Sequence, residues 1–170
     1  MLVGIVLLLS IPQQMVAVPL FQTLLDLKIL NTYLGLITVH TAWGIIWITI
    51  FMRNYLTTLP LEVEEAASLD GANRFQIFTR IILPLSLPGL ASVAALQFTW
   101  VWNDFFMALV TLFDPSKLVA TQRIPLLKGQ YNVDWGVLSA ASLLVTAIPL
   151  LVFVLLQKYY VKGLIGWTSK

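Results

Sequence analysis

The sequence predicts an all-α, polytopic membrane protein with four transmembrane helices and a helix–turn–helix inserted between the second and the third. Hydrophobic residues make up 59% of the 170 residues and charged residues only 11%, whereas soluble domains average about 25% charged residues. Four apolar stretches approach the roughly 20 residues that a spanning helix needs. The longest polar interval, Glu64 to Gly89, keeps helix-forming residues at helical spacing, so we expect it to be ordered.

The four predicted spans run from about Leu2 to Leu25, from about Tyr33 to Phe51, from about Leu85 to Phe113 and from about Val137 to Leu156. A polar side chain that can cap a helix, Asn31 or Thr32, precedes the second span. The third stretch is too long for one straight span. We therefore expect a bend or a break near Pro84, Pro88 or the Trp102–Asp104 segment.

The basic residues predict which side of the membrane carries the insert. With four spans, the insert and the C-terminal tail share one side, whose basic residues are Arg53, Arg74, Arg80, Lys158, Lys162 and Lys170. The other side has fewer, namely Lys28, Lys117, Arg123 and Lys128. Cytoplasmic loops carry the excess of positive charge, so we expect the insert in the cytoplasm.

Composition excludes several classes of protein. The chain has no cysteine and a single histidine, His40, so the sequence offers no disulfide framework, no thiolate metal site and no multi-histidine metal centre. A net charge of +2 without a basic run does not favour nucleic acid. Met1 leads directly into an apolar stretch, which we interpret as a span and not as a signal peptide.

The residues of the insert predict two helices joined by a glycine turn. Pro60 suits the first turn of a helix, and the glutamates that follow it favour the positive end of the helix dipole. Gly71 is a natural left-handed stop, and a second helix can begin near Asn73. Ala66 and Ala67 keep the first helix thin, so a partner can approach closely. A hairpin on the membrane surface and a docking element for a cytoplasmic partner both remain open.

The insert also carries a motif: E-A-A, three residues, G, nine residues, I-x-L-P. Its fixed positions are all present, as Glu65, Ala66, Ala67, Gly71, Ile81, Leu83 and Pro84. This motif resembles the cytoplasmic loop of binding-protein-dependent ABC importer permeases. The stretches ILNTYLGLI (29–37), WND (102–104) and QKYYVKGL (157–164) resemble the carbohydrate, maltose-type branch of that family. The resemblance covers about residues 11–164.

The resemblance implies an importer permease core in which residues 58–83 form a coupling loop that docks into a groove of a separate ATPase. It assigns coupling to Glu65, Ala66, Ala67, Leu69, Asp70, Gly71 and Pro84. It implies ATP and magnesium on that ATPase and no cofactor on this chain, which lacks a G-x-x-x-x-G-K-[ST] motif. The implied assembly holds two permeases, two ATPases and one external solute-binding protein in a bacterial or archaeal cytoplasmic (inner) membrane.

Two features depart from the family pattern. Family members usually have six spans, and the four stretches here match the last four. We therefore expect a single transmembrane domain over residues 1–170 that is truncated at its N-terminus. The tail ends GLIGWTSK and lacks the glycine-and-basic ending of the family, so the resemblance does not decide whether the tail contacts the ATPase.

Polar and aromatic residues within the spans are candidates for the solute path, namely His40, Trp43, Trp47, Gln97, Trp102, Asn103 and Asp104. Tryptophan faces stack on sugar rings, and a carboxylate at membrane depth usually faces a cavity or a partner. The alternatives remain open. The tryptophans pack between helices or lie in an interfacial belt, His40 bonds a neighbouring helix, and Asp104 holds a loop at the outer interface.

The predicted outer loop, about Asp114 to Trp135, holds the last group of candidates. In the resembling family this loop reaches toward the external binding protein, which implies contacts by Gly129, Tyr131 and Trp135. A plain solvated connector is the equal alternative.

The function expected from these observations is that of a non-enzymatic permease subunit for a sugar or an oligosaccharide. A permease for a non-sugar solute and a truncated, non-transporting fragment are the alternatives. A membrane enzyme needs clustered carboxylates or histidines, and only His40 and Asp104 are available, on different spans. The sequence does not identify the solute.

Overall fold

The computed structural model describes residue 4, residues 10–129 and residues 133–168, with side chains as far as residue 157. These described residues are helical or irregular and contain no strand, which confirms the all-α class. Within them, three helices are long and apolar enough to cross a membrane, namely Tyr33–Leu56, Arg74–Asn103 and Trp135–Gln157. They correspond to the second, third and fourth predicted spans. Of the first, residues 2, 3 and 5–9 lie outside the described residues, and the described remainder forms a 3-10 turn and the ten-residue helix Ala17–Asp26, not one long helix.

The helices follow one another in a simple order along the described chain. A 3-10 turn at Gln13–Val16 leads into the first α-helix. The α-helices are α1 (Ala17–Asp26), α2 (Tyr33–Leu56), α3 (Leu61–Leu69), α4 (Arg74–Ile77), α5 (Leu83–Asn103), α6 (Phe106–Thr111), α7 (Ala120–Leu126) and α8 (Trp135–Thr168). A π-turn at Phe78–Ile82 joins α4 to α5, so helical structure continues without interruption from Arg74 to Asn103.

The third span differs from its prediction at both ends. It begins at Arg74, inside the insert, because the π-turn carries α4 directly into α5. It ends at Asn103, and two non-helical residues, Asp104 and Phe105, separate it from α6. The Asp104 carboxylate accepts hydrogen bonds from the backbone N–H groups of Met107 (3.3 Å) and Ala108 (3.0 Å) in α6. The break expected near the Trp102–Asp104 segment is therefore confirmed.

The contacts of the chain fall into two compact units, of which the first takes in the described residues of Met1–Trp47 and Gln97–Leu151. Its apolar core consists of Leu24, Leu36, Val39, Met107, Ala108 and Leu112. Gln122 of α7 is 5% exposed, and its amide donates to the C=O groups of Ala108 (3.2 Å) and Leu112 (2.9 Å). The Leu112 carbonyl lies just past the end of α6, and the Ala108 carbonyl also accepts the N–H of Leu112 at 2.8 Å, so Gln122 connects α7 to the end of α6.

Asn31 forms hydrogen bonds with the segment that follows α6 in the same unit. Its backbone is left-handed, with φ 56°, a conformation that asparagine tolerates better than most residues. Its Oδ1 accepts hydrogen bonds from the N–H groups of Phe113 (3.2 Å) and Asp114 (3.0 Å). Thr32 then caps α2, because its Oγ1 accepts from the N–H of Gly35 at 3.1 Å. Of the two predicted caps, the structure uses Thr32.

The second unit takes in the described residues of Ile48–Leu96 and Val152–Lys170. Tyr55 is 8% exposed and lies against Gly89, where a Cβ would come within 2.8 Å of the tyrosine ring. The tyrosine OH donates to the C=O of Leu85 at 3.4 Å. The buried hydroxyls of Ser86 and Ser92 donate to carbonyls four residues earlier, so the polar groups in this packed region are satisfied.

Candidate functional sites

The insert forms a helix, a glycine turn and a helix, as predicted. Gly71 has φ 83°, a left-handed conformation that favours glycine. Asn73 begins α4 with a capping box, in which its Oδ1 accepts from the N–H of Gln76 and the Gln76 side chain accepts from the N–H of Asn73, both at 2.9 Å. Pro60 occupies the residue before α3, one position earlier than expected.

The motif residues of α3 lie at the surface. Glu65 and Ala66 are exposed, and Leu69 and Phe75 expose 89% and 75% of their surface. An open groove of about 850 Å³ is bordered by other residues of the insert, which include Glu64, Glu65, Ser68, Arg74, Ile77 and Phe78.

A π-turn connects the insert to the third span. The N–H of Leu83 donates to the C=O of Phe78, five residues earlier. In a regular α-helix the Pro84 ring would collide with the C=O of Arg80, four residues earlier. A π-turn widens the backbone at this place, which accommodates Pro84 in the first turn of α5 without breaking the helix.

Most of the path candidates surround one cavity of the first unit. This cavity has a volume of about 390 Å³, and the predicted residues that line it are His40, Trp43, Trp47, Gln97, Asn103 and Asp104. Gln13, Gly44 and Trp100 also line it, and the sequence prediction did not include them. Trp100 follows Gln97 by one helical turn, so helical spacing within α5 is the signal that would have added it.

Trp102, the remaining path candidate, lies away from that lining. Its Nε1 donates to the C=O of Val145 at 2.9 Å, and its ring stacks on Phe98 with centroids 5.7 Å apart. It borders a second cavity of about 330 Å³, together with His40 and Asp104. A role for Trp102 in the solute path stays a prediction.

The Asp104 carboxylate lines the 390 Å³ cavity and also accepts hydrogen bonds from the backbone of α6. Its Oδ2 lies 3.6 Å from Nε2 of His40, and the two side chains are 13% and 17% exposed. The same carboxylate starts α6, and the backbone C=O of Asp104 accepts from Oγ1 of Thr121 at 2.8 Å. A loop-holding role is therefore present, and the carboxylate also borders the candidate path. Among the described residues, no three acidic, histidine or cysteine side chains gather to hold a metal ion.

Gln97 and Trp47 meet across the same cavity. The indole N–H of Trp47 donates to Oε1 of Gln97 at 2.7 Å, and Nε2 of Gln97 donates to the backbone C=O of His40 at 3.4 Å. Trp47 and Trp100 pack edge to face, with ring centroids 5.6 Å apart and an interplanar angle of 86°. One wall of the cavity is therefore aromatic and anchored by an amide.

The candidates on the predicted outer loop are only partly described. Gly129 and Trp135 are exposed, Trp135 by 69%, whereas Tyr131 lies outside the described residues. A contact between these residues and a binding protein stays a prediction.

The start of the outer loop is a tight turn closed by Asp114. Its Oδ1 accepts from the Oγ–H (2.7 Å) and the N–H (2.9 Å) of Ser116, and its Oδ2 lies 3.4 Å from Nζ of Lys117. The hydrogen bond from the Ser116 hydroxyl, together with the one from the Ser116 N–H, lowers the pKa of the Asp114 carboxyl. The turn is therefore most stable with this carboxyl ionised.

The fold and the insert together define a multi-pass membrane protein with an exposed helix–turn–helix between two of its spans. The chain belongs to the family of binding-protein-dependent transport system inner membrane components, which matches residues 1–166. This finding confirms the family that the motif predicted. It also confirms the prediction that the chain is a component of the inner membrane.

Three similar proteins are permeases by name. A probable ABC transporter permease of Pyrococcus horikoshii is 62% identical over 96% of this chain and 59% of its own length. An alpha-glucoside transport system permease of Rhizobium meliloti is 41% identical, covering 96% and 44%. An uptake permease for osmoprotective compounds of Synechocystis is 38% identical, covering 98% and 56%. The chain thus spans about half the length of the curated relatives it matches.

Proposed function

We propose that this chain is a permease subunit of an ATP-driven importer and forms half of the translocation path for a sugar or an oligosaccharide. It hydrolyses no ATP itself, since ATP and magnesium bind a separate ATPase subunit. The complete importer consists of two permeases, two ATPases and one external solute-binding protein. Family membership and the names of the similar permeases support this assembly.

The observation that carries the proposal is the shape of the insert. Its motif places Glu65 and Leu69 on α3, one turn apart, and Leu69 is almost fully exposed. The positive φ of Gly71 fixes the angle at which α4 leaves α3. An ordered helix pair with an exposed leucine suits insertion into a groove of a partner protein, whereas a membrane-surface hairpin would carry more lysine and arginine on its polar face.

Continuous helical structure links this docking element to the third span. The π-turn and α5 follow α4 with no break from Arg74 to Asn103. When ATP-driven closure of the ATPases moves the insert, α4 passes the motion to α5 through Pro84. A stiff helix transmits such a displacement better than a flexible loop would.

The composition of the 390 Å³ cavity supports a sugar as the solute. Three tryptophans supply ring faces, and His40, Asn103 and Asp104 supply donors and acceptors for hydroxyl groups. The name of the Rhizobium permease also favours a glucoside. The Synechocystis permease is named for osmoprotective compounds, so a non-sugar solute is the second candidate.

Substitution at Leu69 tests the coupling part of the proposal. Leu69→Asp puts a charge at the docking surface and should reduce capture of the ATPase subunit by at least about tenfold, because a buried unpaired charge costs several kcal/mol. Val63→Asp is the matched control, since Val63 is 40% exposed on the same helix and lies about 120° away around its axis. Equal capture by both variants would show that α3 does not dock by this face.

A further inference from the structure

Gln97 is tied to α2 through both ends of its side-chain amide. Oε1 accepts the Trp47 indole N–H at 2.7 Å, and Nε2 donates to the backbone C=O of His40 at 3.4 Å. His40 and Trp47 are separated by about two helical turns and share one face of α2. Because the amide oxygen only accepts and the nitrogen only donates, these two contacts fix which way the amide points.

Gly44 provides the space that the amide occupies. This glycine lies between His40 and Trp47 on the same face of α2 and is buried. A Cβ at Gly44 would come within 2.9 Å of Nε2 of Gln97 and within 3.3 Å of its Oε1. A larger residue there would push the amide away from at least one of its partners.

The group oriented by this arrangement is the indole of Trp47. Its N–H is already engaged by Gln97, so Trp47 offers the cavity ring surface and no donor. Trp100, one turn after Gln97, packs edge to face with Trp47 at 5.6 Å and restrains the ring from a second side. An apolar ring held in one orientation is what the C–H face of a sugar ring needs for stacking.

We propose that Gln97 is a positioning residue and not a solute ligand. It acts through Trp47, in a space that Gly44 leaves open, and it fixes an indole face on which a sugar ring stacks during transport. This proposal rests on the importer function and deepens it, because it names the side chains that decide how well a sugar fits.

The experiment uses the complete importer in proteoliposomes. 5-Fluorotryptophan is placed at position 47, and its ¹⁹F resonance is recorded with and without maltose, the sugar probe, delivered by the loaded binding protein. Uptake of radiolabelled maltose is measured in parallel.

The variants are Gln97→Leu, which has similar size and no polar atoms, Gln97→Glu, which still accepts the indole N–H, and Gly44→Ala. Gln22→Leu is the matched control, because Gln22 belongs to the same unit and borders a different cavity.

We expect the parent complex and the control to give one ¹⁹F line that maltose shifts. Gln97→Leu and Gly44→Ala should broaden or split this line and slow maltose uptake about three- to tenfold, the effect of losing one neutral hydrogen bond. Gln97→Glu should give a narrower line than Gln97→Leu, because it still accepts the indole N–H although it no longer donates to the C=O of His40. A sharp, shifting line in Gln97→Leu overturns the proposal, whether uptake is retained or lost.

Failure of the importer function gives a different result from failure of the positioning role. If the parent complex shows no ATP-dependent uptake of any solute in a panel of mono- and oligosaccharides and osmoprotective compounds, the proposed function is wrong regardless of the Trp47 resonance. If it takes up glycine betaine but no maltose, and maltose leaves the resonance unshifted, the sugar-stacking role is overturned while the transporter function stands. Maltose uptake with an unaltered resonance in every variant overturns the positioning role alone.

Discussion

Oδ2 of Asp104 lies 3.6 Å from Nε2 of His40, and the two side chains border both the 390 Å³ cavity and the 330 Å³ cavity. The same carboxylate accepts two N–H groups at the start of α6. Its two tasks are separable by substitution, because an amide oxygen can replace a carboxylate at a helix start but cannot pair as an anion with His40.

We expect Asp104→Asn to retain most of the stability and to change solute uptake. Asp104→Ala should lose about 1 kcal/mol or more, because it leaves the first N–H groups of α6 without their acceptor. The readouts are the melting temperature in detergent and uptake by the complete importer. Asn103→Ala, at an exposed neighbour, is the stability control. Parent-level uptake by Asp104→Asn would restrict Asp104 to holding α6.

The turn at Gly71 gives a second prediction. Gly71→Val forces a β-branched residue to φ 83°, at roughly 1–3 kcal/mol of strain, and should misaim α4. The measurement is stimulation of ATP hydrolysis by the loaded binding protein, which should fall strongly. Gly71→Asn is the control, since asparagine tolerates this conformation. Undiminished stimulation in the valine variant would mean that coupling does not depend on this turn.

The insert was predictable because its signals are local. A glycine that ends one helix and an asparagine that begins the next act within a few residues of themselves, and both Gly71 and Asn73 do so. The helical class also follows from composition, because backbone groups in a bilayer must be satisfied internally.

The contacts that define the path depend on residues far apart in sequence. Nothing beside Gln97 indicates that its amide meets Trp47 and needs the space at Gly44. Asp104 lies within an apolar stretch, so the sequence predicts a path residue. Only the fold reveals that its carboxylate also accepts a backbone N–H in the first turn of α6. The π-turn has one local signal, Pro84, which predicts a disturbance of the helix without saying that the backbone widens.

Asn31 gives a prediction for the predicted outer side. It combines a left-handed backbone with two bonds from its Oδ1 to the N–H groups of Phe113 and Asp114. Asn31→Gly keeps the backbone and loses the bonds, whereas Asn31→Ala loses both. We expect the alanine variant to be less stable than the glycine variant by about 1 kcal/mol. Both should speed cleavage by a protease at Phe113, whose side chain is already 56% exposed but whose N–H is held by Asn31, and equal cleavage rates in all three proteins would contradict this role.

The turn at Asp114 gives a prediction on pH. Because its carboxyl has a lowered pKa, the ionised form stabilises the turn above the ordinary carboxyl pKa of about 4, and this stabilisation is lost as pH falls through the lowered value. Ser116→Ala removes the strongest cause of the shift, so the turn should open at a higher pH. Amide exchange at residue 116, corrected for the intrinsic rate, measures this, with Ser139→Ala as the control.

The π-turn before Pro84 gives the last prediction. Pro84→Ala removes the ring that a regular helix would not accommodate and supplies an N–H that can bond to the C=O of Arg80. The turn should then relax to an α-helix. A one-residue change of register would rotate α4 by about 100° relative to α5, so we expect coupling to the ATPase to be lost while the stability of the protein is retained. Spin labels at the exposed residues Phe75 and Leu90 measure the change as a shifted distance, and ATPase assays measure the coupling. Pro88→Ala is the control, because Pro88 lies inside α5, beyond the π-turn. An unshifted distance with normal coupling in Pro84→Ala would mean that packing of the buried Ile77, and not the proline, sets the turn.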